Sequence, residues 1–136
     1  MKKKKLIILA IVLVIAAVLL MVYKPWGEKP FKDLSVDEIQ SVSVKLVPPD
    51  ETFSLSSDEI TELTNILNLI VIYAEDNSYD QYAGQAVIYE ITKNDGSVLE
   101  VNAYNPFLII DGTSYKTKYR PCEELNSLGN RIRNDE

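Results

Sequence analysis

The sequence predicts an α+β fold: an antiparallel β-sheet with two helices packed on one face, preceded by one transmembrane helix. Three observations carry this prediction. Residues 6–23 are apolar and uncharged. Several later segments alternate apolar and polar residues, as half-buried strands do. Two further segments place apolar residues three and four apart, as amphipathic helices do. Tight turns between the strands favour antiparallel pairing, and we expect about five to seven strands.

Residues 6–23 have the length and composition of a membrane-spanning helix. The run of 18 residues would span roughly 27 Å as a helix, close to the thickness of a bilayer's hydrocarbon core. Four lysines in residues 1–5 predict a cytoplasmic N-terminus and an extracytoplasmic C-terminal domain, because basic residues stay on the cytoplasmic side. The first partner predicted is therefore the lipid bilayer, contacted through residues 6–23.

A cleaved signal peptide has the same layout of a basic start and an apolar run, and it is the main alternative. The run is longer than the apolar region of most signal peptides, and no small-x-small pair follows it, so a retained signal-anchor is favoured. A lipoprotein signal is excluded because the one cysteine, Cys122, lies far from the run.

Residues 24–30 are predicted to form a linker between the membrane and the domain. Pro25, Gly27 and Pro30 interrupt the helix there. Residues 31–136 then form one extracytoplasmic domain, which is large enough for a single modest core.

Two capping boxes mark helix starts in the first half of this domain. Ser35 with Glu38 predicts a short helical turn, and Ser56 with Glu59 predicts the start of an amphipathic helix over residues 57–69. A second helix is predicted from Pro121, since proline suits the first helical position. Its buried stripe would be formed by Leu125, Leu128 and Ile132.

Alternation and turn residues mark seven candidate strands for the expected five to seven. In chain order these are residues 40–47, 52–55, 71–73, 84–93, 97–104, 107–110 and 114–119. The strongest hairpin signal is Asn94-Asp95-Gly96, because these residues tolerate the backbone that tight turns require. Residues 107–110 are apolar throughout, which predicts a central strand covered on both faces.

Charge and composition exclude several functions. Without Lys2–Lys5, the chain has 10 basic and 20 acidic residues, so nucleic-acid binding is disfavoured. That acidity is also expected to repel anionic lipid and to favour a cationic or neutral partner. The absence of histidine removes Ser-His-Asp and Cys-His catalysis and His-ligated zinc. A single cysteine rules out an intramolecular disulfide.

The polar segment 74–83 is the candidate partner-binding loop. Its predicted contact residues are Asp76, Tyr79, Asp80 and Tyr82, since loop tyrosines are well suited to contacting a protein partner. The spacing of acids superficially resembles a calcium loop, but the glycine and glutamate of an EF-hand are missing. A looser oxygen-ligand site that includes Glu75 stays open beside the simpler interpretation, a solvated loop with no metal.

No catalytic residue or cofactor is predicted, and the protein is not expected to be an enzyme. Its carboxylates fall at helix starts, in turns or at outward strand positions such as Glu90 and Glu100, where each has a structural explanation. Cys122 is expected to be a packed structural thiol, because no histidine or second cysteine is present to activate it.

Four segments resemble a family of small uncharacterised membrane-anchored proteins of Firmicutes. They are residues 34–39 (LSVDEI), 46–49 (LVPP), 104–112 (YNPFLIIDG) and 119–125 (YRPCEEL). The resemblance spans roughly residues 31–132. It implies an anchored, outward-facing domain from a Gram-positive bacterium, and it implies no activity, ligand or catalytic residue.

The sequence thus predicts a single-pass protein of the cell membrane whose domain is a non-enzymatic binding, sensing or accessory module of the cell envelope. An envelope protein or a cell-wall component is the expected partner. The alternative is a carboxylate-dependent cell-wall enzyme, which would need two acids placed across one site.

Overall fold

The computed structural model describes residues 2–23 and 26–135 of the chain. Its helices are α1 (Lys2–Tyr23), α2 (Ser57–Asn68) and α3 (Tyr119–Asp135), and single 3₁₀ turns lie at Val36–Glu38 and Ser78–Gln81. Its strands are β1 (Ile39–Val47), β2 (Glu51–Ser54), β3 (Ile72–Glu75), β4 (Ala86–Lys93), β5 (Val98–Tyr104), β6 (Phe107–Ile110) and β7 (Thr113–Thr117). They form one antiparallel sheet in the order β2-β1-β4-β5-β6-β7-β3, which confirms the predicted α+β class.

Helix α1 has 22 residues and includes the four N-terminal lysines. The segment Lys2–Met21 is long and apolar enough to cross a membrane, and the rest of the chain buries none of it. This is the expected state of a membrane anchor or a signal sequence, because an apolar surface on all sides is suited to lipid and not to water.

The core lies against one face of the sheet, where alternating residues of neighbouring strands meet. One row runs directly across four strands through Val44, Tyr89, Val101 and Ile110. The first three of these side chains are fully buried, and Ile110 packs at the edge of the same cluster. Alternate residues of β4 and β5 therefore face the core.

Helix α3 contacts this core face. The hydroxyl of Tyr89 donates a hydrogen bond of 2.6 Å to the Leu125 carbonyl. At Gly129 the helix approaches so closely that an added Cβ would lie 2.5 Å from Cγ1 of Val87. Burial of the tyrosine ring and hydroxyl raises the pKa of Tyr89 well above its usual range.

Helix α2 lies beside α3 and contributes Leu63 and Leu67 to the same core cluster. The two helices are joined at the surface by Arg131, whose guanidinium donates to both carboxylate oxygens of Glu62 at 3.2 and 2.6 Å. Asn68, the last residue of α2, donates to the carbonyl of Phe31 at 2.7 Å and so holds the entry segment of the domain.

Both predicted capping boxes are present, but α3 begins earlier than the sequence suggested. It starts at Tyr119, so Tyr119 is helical and Pro121 is not the first helical residue. Proline is tolerated at Pro121 because no N–H in the first turn has an intrahelical acceptor. Because of this earlier start, the first turn has no acidic residue.

The predicted linker is partly incorporated into the domain. Residues 24 and 25 lie outside the described residues, but Glu28 forms two backbone hydrogen bonds of 2.8 Å with Ile72 at the start of β3. Gly27 is buried beside Val71 and has a positive φ of 81°, a conformation that glycine adopts without strain. The chain is therefore fixed to the sheet from Gly27 onward.

Candidate functional site

The candidate partner-binding loop, predicted at residues 74–83, occupies residues 76–85, because Ala74 and Glu75 belong to β3, and β4 begins only at Ala86; it is called the tyrosine loop below. It lies against the second face of the sheet, opposite the core face. On this face Phe107 is 2% exposed and Ile109 is 8% exposed. On the core face of the same strand, Leu108 is also buried. The prediction that this strand is covered on both faces is confirmed.

Asp76 fixes the start of the loop. Its Oδ1 accepts hydrogen bonds from the backbone N–H and the hydroxyl of Ser78, at 2.9 and 2.6 Å. Its Oδ2 lies 3.6 Å from Nζ of Lys116, and its own N–H donates to the Ser114 carbonyl at 3.0 Å. The hydrogen bonds from Ser78, helped by the charge of Lys116, lower the pKa of Asp76. This carboxylate is therefore already used in holding the loop.

The two loop tyrosines cover Phe107. The ring centroid of Tyr82 is 5.2 Å from that of Phe107, and that of Tyr79 is 6.5 Å away, both in edge-to-face geometry. The hydroxyl of Tyr104, which projects from β5 on this face, donates to the Tyr82 carbonyl. Both loop rings nevertheless keep an exposed side, with Tyr79 36% and Tyr82 52% exposed.

Asp80 completes the predicted set. It is exposed, and its carboxylate forms no hydrogen bond or ion pair within the described residues. The short 3₁₀ turn Ser78–Gln81 places it between the two tyrosines along the chain. The loop thus presents one free carboxylate and the outer sides of two rings, a combination suited to a cationic or amphipathic surface.

The looser cation site is not supported by the geometry. Across residues 2–23 and 26–135, no group of three or more acids or cysteines is placed to hold a metal ion. Asp76 is occupied by Ser78 and Lys116, so it is not free to join Glu75 and Asp80 as a ligand.

The other carboxylates either accept hydrogen bonds that hold the fold or are exposed to solvent. Asp95 accepts from the N–H and hydroxyl of Ser97 at 2.9 and 2.6 Å, which lowers the pKa of Asp95. Asp111 accepts from the N–H of Glu100 at 2.9 Å. Glu90 and Glu100 are directly opposite each other on β4 and β5, and both are exposed. A hydrolase needs two acids placed across one site, whereas this pair lies on an open strand surface.

Cys122 is buried, as predicted for a structural thiol. Its Sγ lies 3.6 Å from the Phe107 carbonyl, and burial raises its pKa to about 12. A thiol in this environment is inert as a nucleophile, because the thiolate is the reactive form.

Three residues outside the loop, which the sequence pattern does not connect to it, support the loop from below. Phe107 is the surface on which the rings rest, Tyr104 supports the backbone, and Lys116 pairs with Asp76. The apolar run at residues 107–110 did indicate a second cover. Nothing in the spacing of residues indicated that the cover would be a polar segment some 25 residues earlier in the chain.

Comparisons with known proteins do not assign the chain to a family. A scan against protein-family models, a search of curated proteins and a search of solved structures each found no match. The resemblance to small anchored proteins of Firmicutes therefore stays a prediction.

Proposed function

We propose that the protein is a membrane-anchored binding or sensing module of the cell envelope, in which α1 is retained in the bilayer and the α+β domain faces outward. The observation that carries this proposal is that α1, which begins with four lysines and is then apolar on all sides, is not buried by the acidic domain that follows it. The lysines favour a cytoplasmic N-terminus, and the domain then meets its partner outside the cell.

A role in binding is favoured over catalysis by the way the acidic side chains are used. Glu38 and Glu59 complete capping boxes, and Asp76 and Asp95 hold turns through serine residues. The carboxylate-dependent alternative would rest on Glu90 and Glu100. It predicts that a Glu90→Gln, Glu100→Gln double variant abolishes digestion of cell-wall material by purified protein, whereas a binding module shows no such digestion in either form.

The proposed binding surface is the exposed part of the tyrosine loop. Asp80 supplies charge, and the rings of Tyr79 and Tyr82 supply apolar area that costs little side-chain entropy when it is covered. Because the same rings cover Phe107, truncating them changes both the surface and the packing below it. The surface is therefore best tested by substitutions that leave the rings in place.

A photo-activated phenylalanine analogue at Tyr82, which keeps an aromatic ring at that position, tests this surface in full-length protein within native membranes. We expect one discrete adduct from Tyr82 and none from a crosslinker at exposed Asn65 of α2. Asp80→Lys should weaken the adduct, whereas Asp135→Lys should leave it unchanged. Asp135 lies at the end of α3, beside the opposite edge of the sheet, where Arg133 contacts Glu51 at 3.5 Å. Equal adducts from both crosslinker positions would contradict the proposed surface.

A further inference from the structure

The end of the domain nearest α1 begins only a few residues after it in the chain. Two backbone hydrogen bonds of 2.8 Å join Glu28 to Ile72, and Gly27 packs closely against Val71, so this segment is attached to the sheet. Four residue steps separate Tyr23, the last residue of α1, from Gly27. Even a fully extended chain covers no more than about 14 Å in that distance, so with α1 in the bilayer this end of the domain lies within reach of the headgroup layer, which is roughly 5–8 Å deep on each side.

Two segments of the chain meet at this end. Residues 26–33 follow α1, and Trp26, Lys29 and Lys32 line one shallow surface depression there. The junction of β7 and α3 joins them because the Lys118 N–H donates to the Val71 carbonyl at 2.9 Å, directly beside Gly27. Trp26 is 64% exposed and Tyr119, next to Lys118, is 66% exposed.

The cations at this end are not neutralised by the fold. Elsewhere in the domain four cations form ion pairs, at Lys45, Lys116, Arg131 and Arg133. Within the described residues Lys29, Lys32, Lys118 and Arg120 form none within 4.0 Å. Their positive charges are therefore available to an external anion.

The charge of the domain is strongly asymmetric as a result. Residues 26–33 and 117–120 together carry four cations and two acids, a net charge of +2. The rest of the domain, residues 34–116 and 121–136, carries five cations and 18 acids, a net charge of −13. The expected repulsion from anionic lipid, drawn from total charge, therefore does not apply to the end that faces α1.

We infer that Trp26, Lys29, Lys32, Lys118, Tyr119 and Arg120 form a bilayer-contact surface that binds anionic phospholipid headgroups. The inference rests on the proposed function, since it requires α1 to be retained. Exposed tryptophan and tyrosine are the side chains that favour the membrane interface, and each cation near an anionic bilayer biases the contact about fivefold. The acidic remainder is repelled, so the surface also orients the domain with its acidic part away from the membrane.

The single tryptophan of the chain makes this surface measurable. In a Trp26→Phe background, Tyr119→Trp places the only indole on the β7–α3 junction. This junction is far from α1 in the chain. Full-length protein is reconstituted into vesicles of phosphatidylcholine alone, or with about a third of phosphatidylglycerol, in each case with a brominated lipid as quencher. We expect stronger quenching with the anionic lipid, and loss of the difference at high salt because the interaction is screened.

Variants separate charge contact from simple tethering. Replacing Lys29, Lys32, Lys118 and Arg120 with glutamine should abolish the lipid difference, whereas Lys45→Gln with Arg133→Gln, on the opposite side of the sheet, should leave it intact. A circular-dichroism spectrum unchanged in the quadruple variant shows that the fold is preserved. Equal quenching in the two vesicle types, or an unchanged difference in the quadruple variant, would overturn the inference. Cleavage of α1 in cells, seen by mass, would instead overturn the proposed function.

Discussion

Gly129 on α3 provides a direct test of how this helix contacts the sheet. At an exposed helical position, Gly→Ala stabilises a protein by about 1 kcal/mol, because glycine is the poorer helix former. At Gly129, however, the added methyl group would lie 2.5 Å from Cγ1 of Val87 and 3.5 Å from Cγ2 of Val44. Carbon atoms in favourable contact are about 3.5–4.0 Å apart, so Val87 would have to retreat by roughly 1 Å.

That retreat is difficult because Val87 is fully buried and valine has few alternative rotamers. Overpacking of this kind costs about 1–3 kcal/mol, which outweighs the gain in helix propensity. We therefore expect Gly129→Ala to lower the free energy of unfolding by about 1 kcal/mol. In a Val87→Ala background the obstruction is gone, and the same substitution should raise the free energy of unfolding by about 1 kcal/mol.

The assay is urea unfolding of residues 26–136, followed by circular dichroism. This fragment is appropriate because none of the span Lys2–Met21 of α1 is buried by the domain. Ser127→Ala, at an exposed position of the same helix, is the control and should change the stability by no more than a few tenths of a kcal/mol. A stabilising Gly129→Ala in the wild-type background would refute the close contact between α3 and β4.

Three other substitutions test separate parts of the structure. Tyr89→Phe removes the hydrogen bond to the Leu125 carbonyl and should cost about 1 kcal/mol in urea unfolding, whereas equal stability would show that the bond contributes nothing. Glu100→Lys replaces a like-charge pair with Glu90 by an ion pair and should raise stability by a few tenths of a kcal/mol, less at high salt. Burial raises the pKa of Cys122 to about 12 in the folded domain, whereas the thiol of the unfolded chain loses its proton above about pH 8.5. The free energy of unfolding should therefore fall by about 2 kcal/mol between pH 8 and pH 10. A Cys122→Ala variant should not show this fall. Identical pH profiles would contradict that burial effect.

Many of the strands, turns and helix starts were predictable because they depend on residues that are close together in the chain. The alternation of residues 40–47, the Asn94-Asp95-Gly96 turn and the Ser56–Glu59 capping box each depend on neighbours in the chain, and the structure contains all three elements. The start of α3 was misplaced because Tyr119 has strand propensity, and only its position after β7 makes it helical. The sequence alone could not resolve that competition.

The site was less predictable because its contacts are remote in sequence. Asp76, Tyr79, Asp80 and Tyr82 do lie in one loop, as expected, but the floor of that loop comes from Phe107. The attachment of Gly27 and Glu28 to β3 was also missed. Proline and glycine in residues 24–30 correctly signalled the end of a helix, yet they contain no information on what the following backbone would pair with.

The central claim is that α1 stays in the membrane with the domain outside, and the accessibility of single cysteines in intact cells tests it most directly. Cys122 is buried and should give little background. We expect Asn65→Cys, exposed on α2, to react with a membrane-impermeant maleimide on intact cells, and Lys3→Cys to react only after lysis, in a membrane-bound protein of full mass. Reaction of Lys3→Cys in intact cells, or release of a shortened chain that lacks α1, would contradict the account.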